Sequence, residues 1–339
     1  MPRKLKLIQC GVGGFGRSWL DVCSASEDFE LAALVDINQA ALSEAGQSIG
    51  LGSVCLFDQL SSALDAVEAE AILTITPPEV HIEHAREAFA RGLHVMTEKP
   101  VAESLDEART MIQLAQEAKR QLMVSQQYRF NAPILQMKEA LGGGEIGTLT
   151  HGHIDFYVPG DFRGSFRESM PYPLLHDMAI HHVDLIRALT QQDIRQVTAR
   201  AFRTPSDWFQ NEAGLKMLLE LENGLLISYS GDWSALGRFT GWNGNWRLQG
   251  TQASLHLDND VVSIDHCEAW MKHPSHKECP PPASGPVERE ATLQNFARSI
   301  RSGIPAETSG EDNIKSLAVI MAAIKSNEEL RPVTVSELL

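Results

Sequence analysis
An α/β fold is what this sequence predicts: an N-terminal doubly wound parallel sheet, then a second α/β domain on a large open, mainly antiparallel sheet. Three observations carry that expectation. Short apolar runs of strand length alternate with helical patterns as far as residue 126. The glycine cluster Gly11-Val12-Gly13-Gly14-Phe15-Gly16 stands between the first strand pattern and the first helical one. Beyond residue 127 strand patterns dominate, and Glu222-Asn223-Gly224 reads as a hairpin turn between two of them. The domain boundaries expected are 1–127 and 128–339.

Composition narrows the classes. Hydrophobic residues at 43% and charged residues at 22% fit an ordinary globular protein. A net charge of −15 argues against nucleic acid or an anionic membrane as partner, because both need a basic face. No apolar run approaches the length of a bilayer span. The first residues lead straight into a strand without a signal-peptide core, so a cytoplasmic location is expected. The five scattered cysteines read as reduced thiols rather than a disulfide framework.

In the first half, residues 5–10 form a strand and 17–24 a helix, with G-x-G-x-x-G between them, which is the context that motif requires. Gly11 permits the tight turn, Gly13 a close backbone approach to a pyrophosphate, and Gly16 close packing of helix on strand. The helix N-terminus offers its free N–H groups to phosphates. A second strand, 30–35, ends in Asp36, twenty residues beyond Gly16. That is the interval for the acid that binds an adenosine ribose. A carboxylate there repels a 2′-phosphate, so NAD is expected over NADP; the plainer reading is an aspartate capping a helix before Asn38. Strands at 54–57 and 71–76, helices at 60–68 and 79–91, a helix at 105–120 opened by a capping box at Ser104 and Glu107, and a strand at 121–126 complete the doubly wound pattern. His81 and His84 read as a helix-surface pair rather than metal ligands.

The stretch 92–100 is the pivot. A strand runs out at Thr97 into Glu98-Lys99-Pro100, at the strand end where ligands sit in open α/β sheets. Taken alone, Lys99 is one more surface lysine; the neighbouring motifs make it a candidate.

In the second half, Arg129 follows the last parallel strand and is expected to face the cofactor end. A helix spans 131–141, strands 148–158, 194–204, 215–221, 225–233, 246–250, 254–257 and 261–265, and helices 287–302 and 313–327. One helix, 175–185, carries Asp177, His181 and Asp184 at i, i+4 and i+7, on one face. A carboxylate one turn from an imidazole orients it for acid–base work on a hydroxyl; the alternatives are a packed His-Asp pair or a metal site. Cys267, His273, His276 and Cys279 have no usual zinc spacing. The loop 159–173 carries Asp161, Arg163, Arg167 and Tyr172; it reads either as the border of a substrate pocket, with Arg163 and Tyr172 as the expected substrate contacts, or simply as a solvated loop.

These residues together resemble the Gfo/Idh/MocA oxidoreductases: the Gly11–Gly16 loop, Asp36, Thr76-Pro77-Pro78, Glu98-Lys99-Pro100, Arg129-Phe130, the Asp177…His181…Asp184 helix and 245–250. The resemblance implies a Rossmann domain plus an α/β domain whose open sheet serves oligomerisation, as a homodimer or homotetramer. It implies NAD(P)-dependent oxidation of a sugar, inositol, polyol or related alcohol, with Lys99, Asp177 and His181 around the reacting carbon and a cis Lys-Pro bond. Ala179 replaces the glycine usual between Asp and His. Cofactor contacts are expected at Gly11, Gly13, Gly14, Phe15, Gly16, Asp36, Thr76, Pro77, Glu98, Lys99 and Arg129, with no metal. The rivals are an NAD-retaining lyase or glycosidase that oxidises transiently, and a non-catalytic NAD-sensing regulator.

Overall fold
The computed structural model describes residues 3–52, 55–205, 207–267, 273 and 275–339. The chain forms two units.

The first unit holds a six-stranded sheet: β1 (Leu5–Cys10), β2 (Phe29–Val35), β3 (Leu56–Phe57), β4 (Ala71–Thr74), β5 (His94–Glu98) and β6 (Leu122–Ser125). The order is β3-β2-β1-β4-β5-β6 and every pair is parallel. Strand order reverses between β1 and β4, and the glycine loop leaves β1 at that point. β4 and β6 are buried throughout, which is why they read as unbroken apolar runs rather than alternating ones. Between the strands run α1 (Arg17–Ala25), α2 (Gln39–Ser48), α3 (Leu60–Ala66), α4 (His81–Ala90) and α5 (Leu105–Ala118). Residue 54, assigned to the third strand from the sequence, lies outside the described residues. Helix α2 entered the sequence reading only as the helix that Asp36 would cap; its cap is Asn38, whose side chain accepts from the N–H groups of Ala40 and Ala41. At α5, Ser104 Oγ accepts from Glu107 N, while the Glu107 carboxylate accepts from Glu103 N, one residue before the capping-box partner.

The unit is not continuous in sequence. Residues 285–314 cluster with 1–127, so the expectation of one unbroken domain over 128–339 is corrected. The reason is apolar packing. Helix α8 (Glu288–Ser302) buries Leu293, Phe296 and Ala297 in the core of this sheet, and Phe296 stacks on Phe29 with ring centroids 5.8 Å apart. Just beyond it, Thr308 O accepts from Val124 N and covers the β6 edge.

The second unit, 128–284 with 315–339, holds a nine-stranded sheet ordered β14-β13-β12-β11-β7-β10-β9-β8-β15. Its strands are β7 (Leu149–Tyr157), β8 (Ile194–Phe202), β9 (Gly214–Leu221), β10 (Leu226–Asp232), β11 (Asn245–Gly250), β12 (Ser254–Asp258), β13 (Val261–His266), β14 (Ser275–Glu278) and β15 (Val333–Thr334). All pairs are antiparallel except β7 with β10. The hairpin at Gly224 is present, with that glycine at φ 84°. Strand β14 was not foreseen because all four of its residues are exposed and it shows no alternation. Strands β10 and β11 alternate buried and more exposed residues along their whole length, and in β9, Leu215, Met217 and Leu219 are buried while Lys216 and Leu218 are exposed. Helices α6 (Ala132–Gly142), α7 (Ile180–Thr190) and α9 (Gly310–Glu329) complete the element order. Helix α9 ties to β8 through Ser326 Oγ, which accepts from Ala199 N, and Asn327 Oδ1, which accepts from Ala201 N.

Candidate active site
In the first unit the glycine positions are explained by contacts. Gly11 has φ +86°, and a Cβ there would meet Ile75 O at 2.2 Å. A Cβ on Gly16 would meet Gly11 O at 2.3 Å, the close approach of helix to strand. Gly13 differs: the nearest protein atom to its ideal Cβ is Asp36 Oδ2, at 3.8 Å, so the space over this peptide is open to a ligand. Beneath the loop, buried Gln9 donates through Nε2 to Gly11 O and Gly16 O. Phe15 is 47% exposed and lies under the Arg289 guanidinium, 5.0 Å from ring centroid to Cζ.

Asp36 closes this arrangement. Its Oδ2 accepts from Val12 N at 2.9 Å and Gly13 N at 3.2 Å, and its Oδ1 from Asn38 N at 2.8 Å. The cap of α2 is Asn38, not Asp36. Asp36 instead joins the end of β2 to the glycine loop, which places a carboxylate beside the open face of Gly13. These residues fit a dinucleotide.

At the ends of β4 and β5, two loops are joined by one side chain. His81 is buried, with Nε2 3.0 Å from Thr76 O and Nδ1 3.2 Å from Pro100 O and 3.3 Å from Val101 O. It is not on the helix surface, as the sequence reading had it, but clamps the Thr76-Pro77 loop to the Lys99-Pro100 turn. Burial pulls its pKa down, against the three carbonyls. His84 faces inward as well, 2.9 Å from Thr74 Oγ1, and burial lowers its pKa to about 4. The Lys99–Pro100 bond is cis. Glu98 is buried: Oε1 accepts from Trp19 Nε1 at 3.1 Å and Oε2 from Lys99 N at 3.1 Å. Burial raises its pKa, opposed by the Lys99 charge. Glu98 therefore anchors the turn from below, and Lys99 stands half-buried above it.

In the second unit the expected helix over 175–185 is not one regular helix. Leu175–Ala179 is a π-turn, and α-helix begins at Ile180. The wider turn shifts the i, i+4 relation of Asp177 and His181 away from ideal α geometry; such turns gather at functional sites. Every residue of α7 from Ile180 to Leu189 is buried, charged ones included. His182 Nδ1 is 3.1 Å from Tyr229 Oη, and its Nε2 is 3.2 Å from Trp242 O; burial lowers its pKa to about 4. Asp184 accepts from Arg129 Nε at 2.6 Å and Nη2 at 2.8 Å, and from Ser316 Oγ at 2.9 Å. Both partners of that Arg-Asp pair are almost wholly buried. Arg129, the expected cofactor contact, forks onto Asp184 through Nε and Nη2, the geometry in which arginine holds a carboxylate bidentately.

His181 itself lies against Tyr128, ring centroids 4.1 Å apart and 16° between planes. Tyr128 and Arg129, consecutive residues, hold positions 181 and 184 of one helix. Tyr128 went unassigned in the sequence, because an aromatic after a strand carries no local sign of its partner.

The loop 159–173 divides the expected substrate contacts. Arg163 is exposed and pairs with Asp161 two residues away, Nη2 to Oδ2 2.6 Å, a local surface pair. Tyr172 has φ 44°, and its hydroxyl donates to Glu328 Oε1 at 3.4 Å. Arg167 is the residue of this loop that reaches the helix: its Nε donates to Asp177 Oδ2, and its guanidinium carbon lies 5.1 Å from the Phe162 ring centroid and 4.7 Å from that of Phe166. Among the described residues no three His, Cys, Asp or Glu side chains are grouped as metal ligands, and His276 hydrogen-bonds Asp265.

Residues 5–126 match the oxidoreductase family with an NAD-binding Rossmann fold, and residues 134–256 match the GFO/IDH/MocA C-terminal domain. The chain belongs to the Gfo/Idh/MocA oxidoreductase family. It is an NAD-binding oxidoreductase of the sugar and polyol dehydrogenase type. It is 28% identical to the D-apiose dehydrogenase of Paraburkholderia graminis, over 99% of this chain and 91% of that protein. It is 24% identical to the inositol 2-dehydrogenase of Rhizobium meliloti, over 96% and 98%. A solved oxidoreductase from Agrobacterium radiobacter, in complex with NAD+, L-tartaric acid and magnesium, superposes with a TM-score of 0.89 at 22% identity, over 99% of this chain and all of that one. No helix among the described residues is long and apolar enough to cross a membrane.

Proposed function
We propose that this family member is an NAD-dependent dehydrogenase that oxidises a secondary alcohol of a sugar, an inositol or other polyol, or a sugar acid. The observation that carries the reading is His181: a buried imidazole, fixed flat by Tyr128, one helical turn from the Asp177 carboxylate. A regulator that only senses NAD needs the glycine loop and Asp36, and has no use for this arrangement.

In the first unit Gly11, Gly13, Gly14, Phe15 and Gly16 would hold the pyrophosphate, Asp36 the adenosine ribose, and the Thr76-Pro77 and Glu98-Lys99 loops the nicotinamide end. The backbone N–H groups of Val12, Gly13 and Asn38, which donate to Asp36, hold its carboxylate where it would disfavour a 2′-phosphate. When bound, NAD supplies the hydride acceptor. The chain supplies the proton chemistry: His181 takes the hydroxyl proton, Asp177 orients the imidazole, and Lys99 polarises the alcohol oxygen or relays the proton.

The open face of the nine-stranded sheet, where Leu218 and Leu226 are exposed, is proposed as the contact of a homodimer or homotetramer. Light scattering showing a monomer at micromolar concentration would count against it. The reading of activity is tested by a screen of polyols, inositols and aldonic acids for NADH formation, which a transient-redox lyase or glycosidase would not give.

A further inference from the structure
The position of Arg167 narrows the substrate class, on the reading of the Asp177–His181 helix as the reacting site. Arginine has five N–H donors arranged as two edges. The Nε of Arg167 is taken by Asp177 Oδ2. Among the described residues no protein acceptor is placed on the terminal nitrogens, Nη1 and Nη2. The side chain is 29% exposed, so these nitrogens are not sealed in the protein. The guanidinium plane is held by the rings of Phe162 and Phe166, with which it makes cation–π contacts. Its outer edge is thus presented in a fixed orientation, with its donors open, beside the carboxylate that flanks the proposed base.

We propose that this edge binds a carboxylate of the substrate, so that the enzyme acts on a sugar acid in preference to the uncharged sugar or alditol. A planar fork matches a planar carboxylate, whose two oxygens accept its two parallel N–H bonds. A neutral hydroxyl engages one donor and leaves the rest unmet. A phosphate carries more charge than one arginine already shared with Asp177 satisfies. Arg163, the more obvious cation of the loop, is turned to Asp161 and leaves this task to Arg167.

The test uses the full-length protein saturated with NAD. Pentonates and hexonates, their matching alditols, and glucose 6-phosphate are titrated calorimetrically, and the same compounds are assayed for NADH formation. At least one acid binds about 10–100-fold more tightly than its alditol, the worth of hydrogen bonds to a charged group. In Arg167→Met that ratio falls to near one, and Arg167→Lys, which keeps the charge without the fork, retains part of it. Unchanged NAD affinity in both variants shows that the fold survives. Equal binding of acids and alditols, no binding by any acid, tighter binding of the sugar phosphate, or an acid-to-alditol ratio unaltered by Arg167→Met would each overturn the inference. The NADH assay decides separately whether the site is a dehydrogenase: acid binding that depends on Arg167, without NADH formation, would refute that reading and leave this one standing.

Discussion

The imidazole of His181 lies on the phenol ring of Tyr128, 4.1 Å between centroids and 16° between planes. A stack of this kind fixes ring orientation without consuming either ring nitrogen. The next residue, Arg129, grips Asp184 one turn along. The short segment after β6 thus sets the rotation and position of α7, and through it the aim of the proposed base.

Tyr128→Leu is therefore expected to lower kcat by about 2–10-fold, the worth of an aromatic pair, while NAD affinity is retained. Tyr128→Phe, which keeps the ring, is expected to be near wild type. Steady-state kinetics with a calorimetric NAD titration check this; equal loss in both variants would assign the role to the hydroxyl instead.

NAD is expected to bind at least several-fold more tightly than NADP, because the Asp36 carboxylate stands beside the open face of Gly13. Asp36→Asn should narrow the gap. It should also weaken the loop, since Val12 N and Gly13 N bond to the same oxygen. Calorimetry that gives equal affinities for the wild type would refute the assignment.

Acid should destabilise the second unit through His182. Its folded pKa is lowered to about 4 by burial, against an ordinary value of 6.5. A lowered histidine pKa means that the folded state disfavours the proton. Its contribution is full above about pH 6.5 and declines as pH falls from there toward about 4, by on the order of 3 kcal/mol over the whole window. Thermal midpoints of the wild type should fall between about pH 7 and about pH 5, and His182→Asn should be less stable at neutral pH but fall less. A parallel fall in both proteins would show that other groups dominate.

The parallel half was legible because its signals are local. The glycine loop, Asp36 and Glu98-Lys99-Pro100 each declare themselves by residue type and spacing, and strands buried on both faces leave unbroken apolar runs. Tertiary pairing was not legible. Arg129 and Asp184 are 55 positions apart, and nothing in either neighbourhood names the other. Phe296 stacks on Phe29 although the segment 128–284 separates them in the sequence, so the domain boundary drawn from rhythm alone put α8 on the wrong side. Arg163 and Arg167 are alike as letters; only the fold turns one to a neighbouring aspartate and the other to Asp177 and two aromatic rings. The π-turn at Leu175–Ala179 was invisible because the apolar spacing of 175–185 suits a regular helix equally well.

The central claim is that this chain carries out net hydride transfer with Lys99 in the reaction. Its most direct test is NADH formation by the purified protein, wild type against Lys99→Met, on the best substrate from the screen. NADH should form in step with oxidised product in the wild type. Lys99→Met should lose about 10²–10⁴-fold in kcat, the usual loss for a positioned acid–base group, with NAD affinity unchanged. Product without net NADH, or a Lys99→Met enzyme with near-normal kcat, would contradict the account.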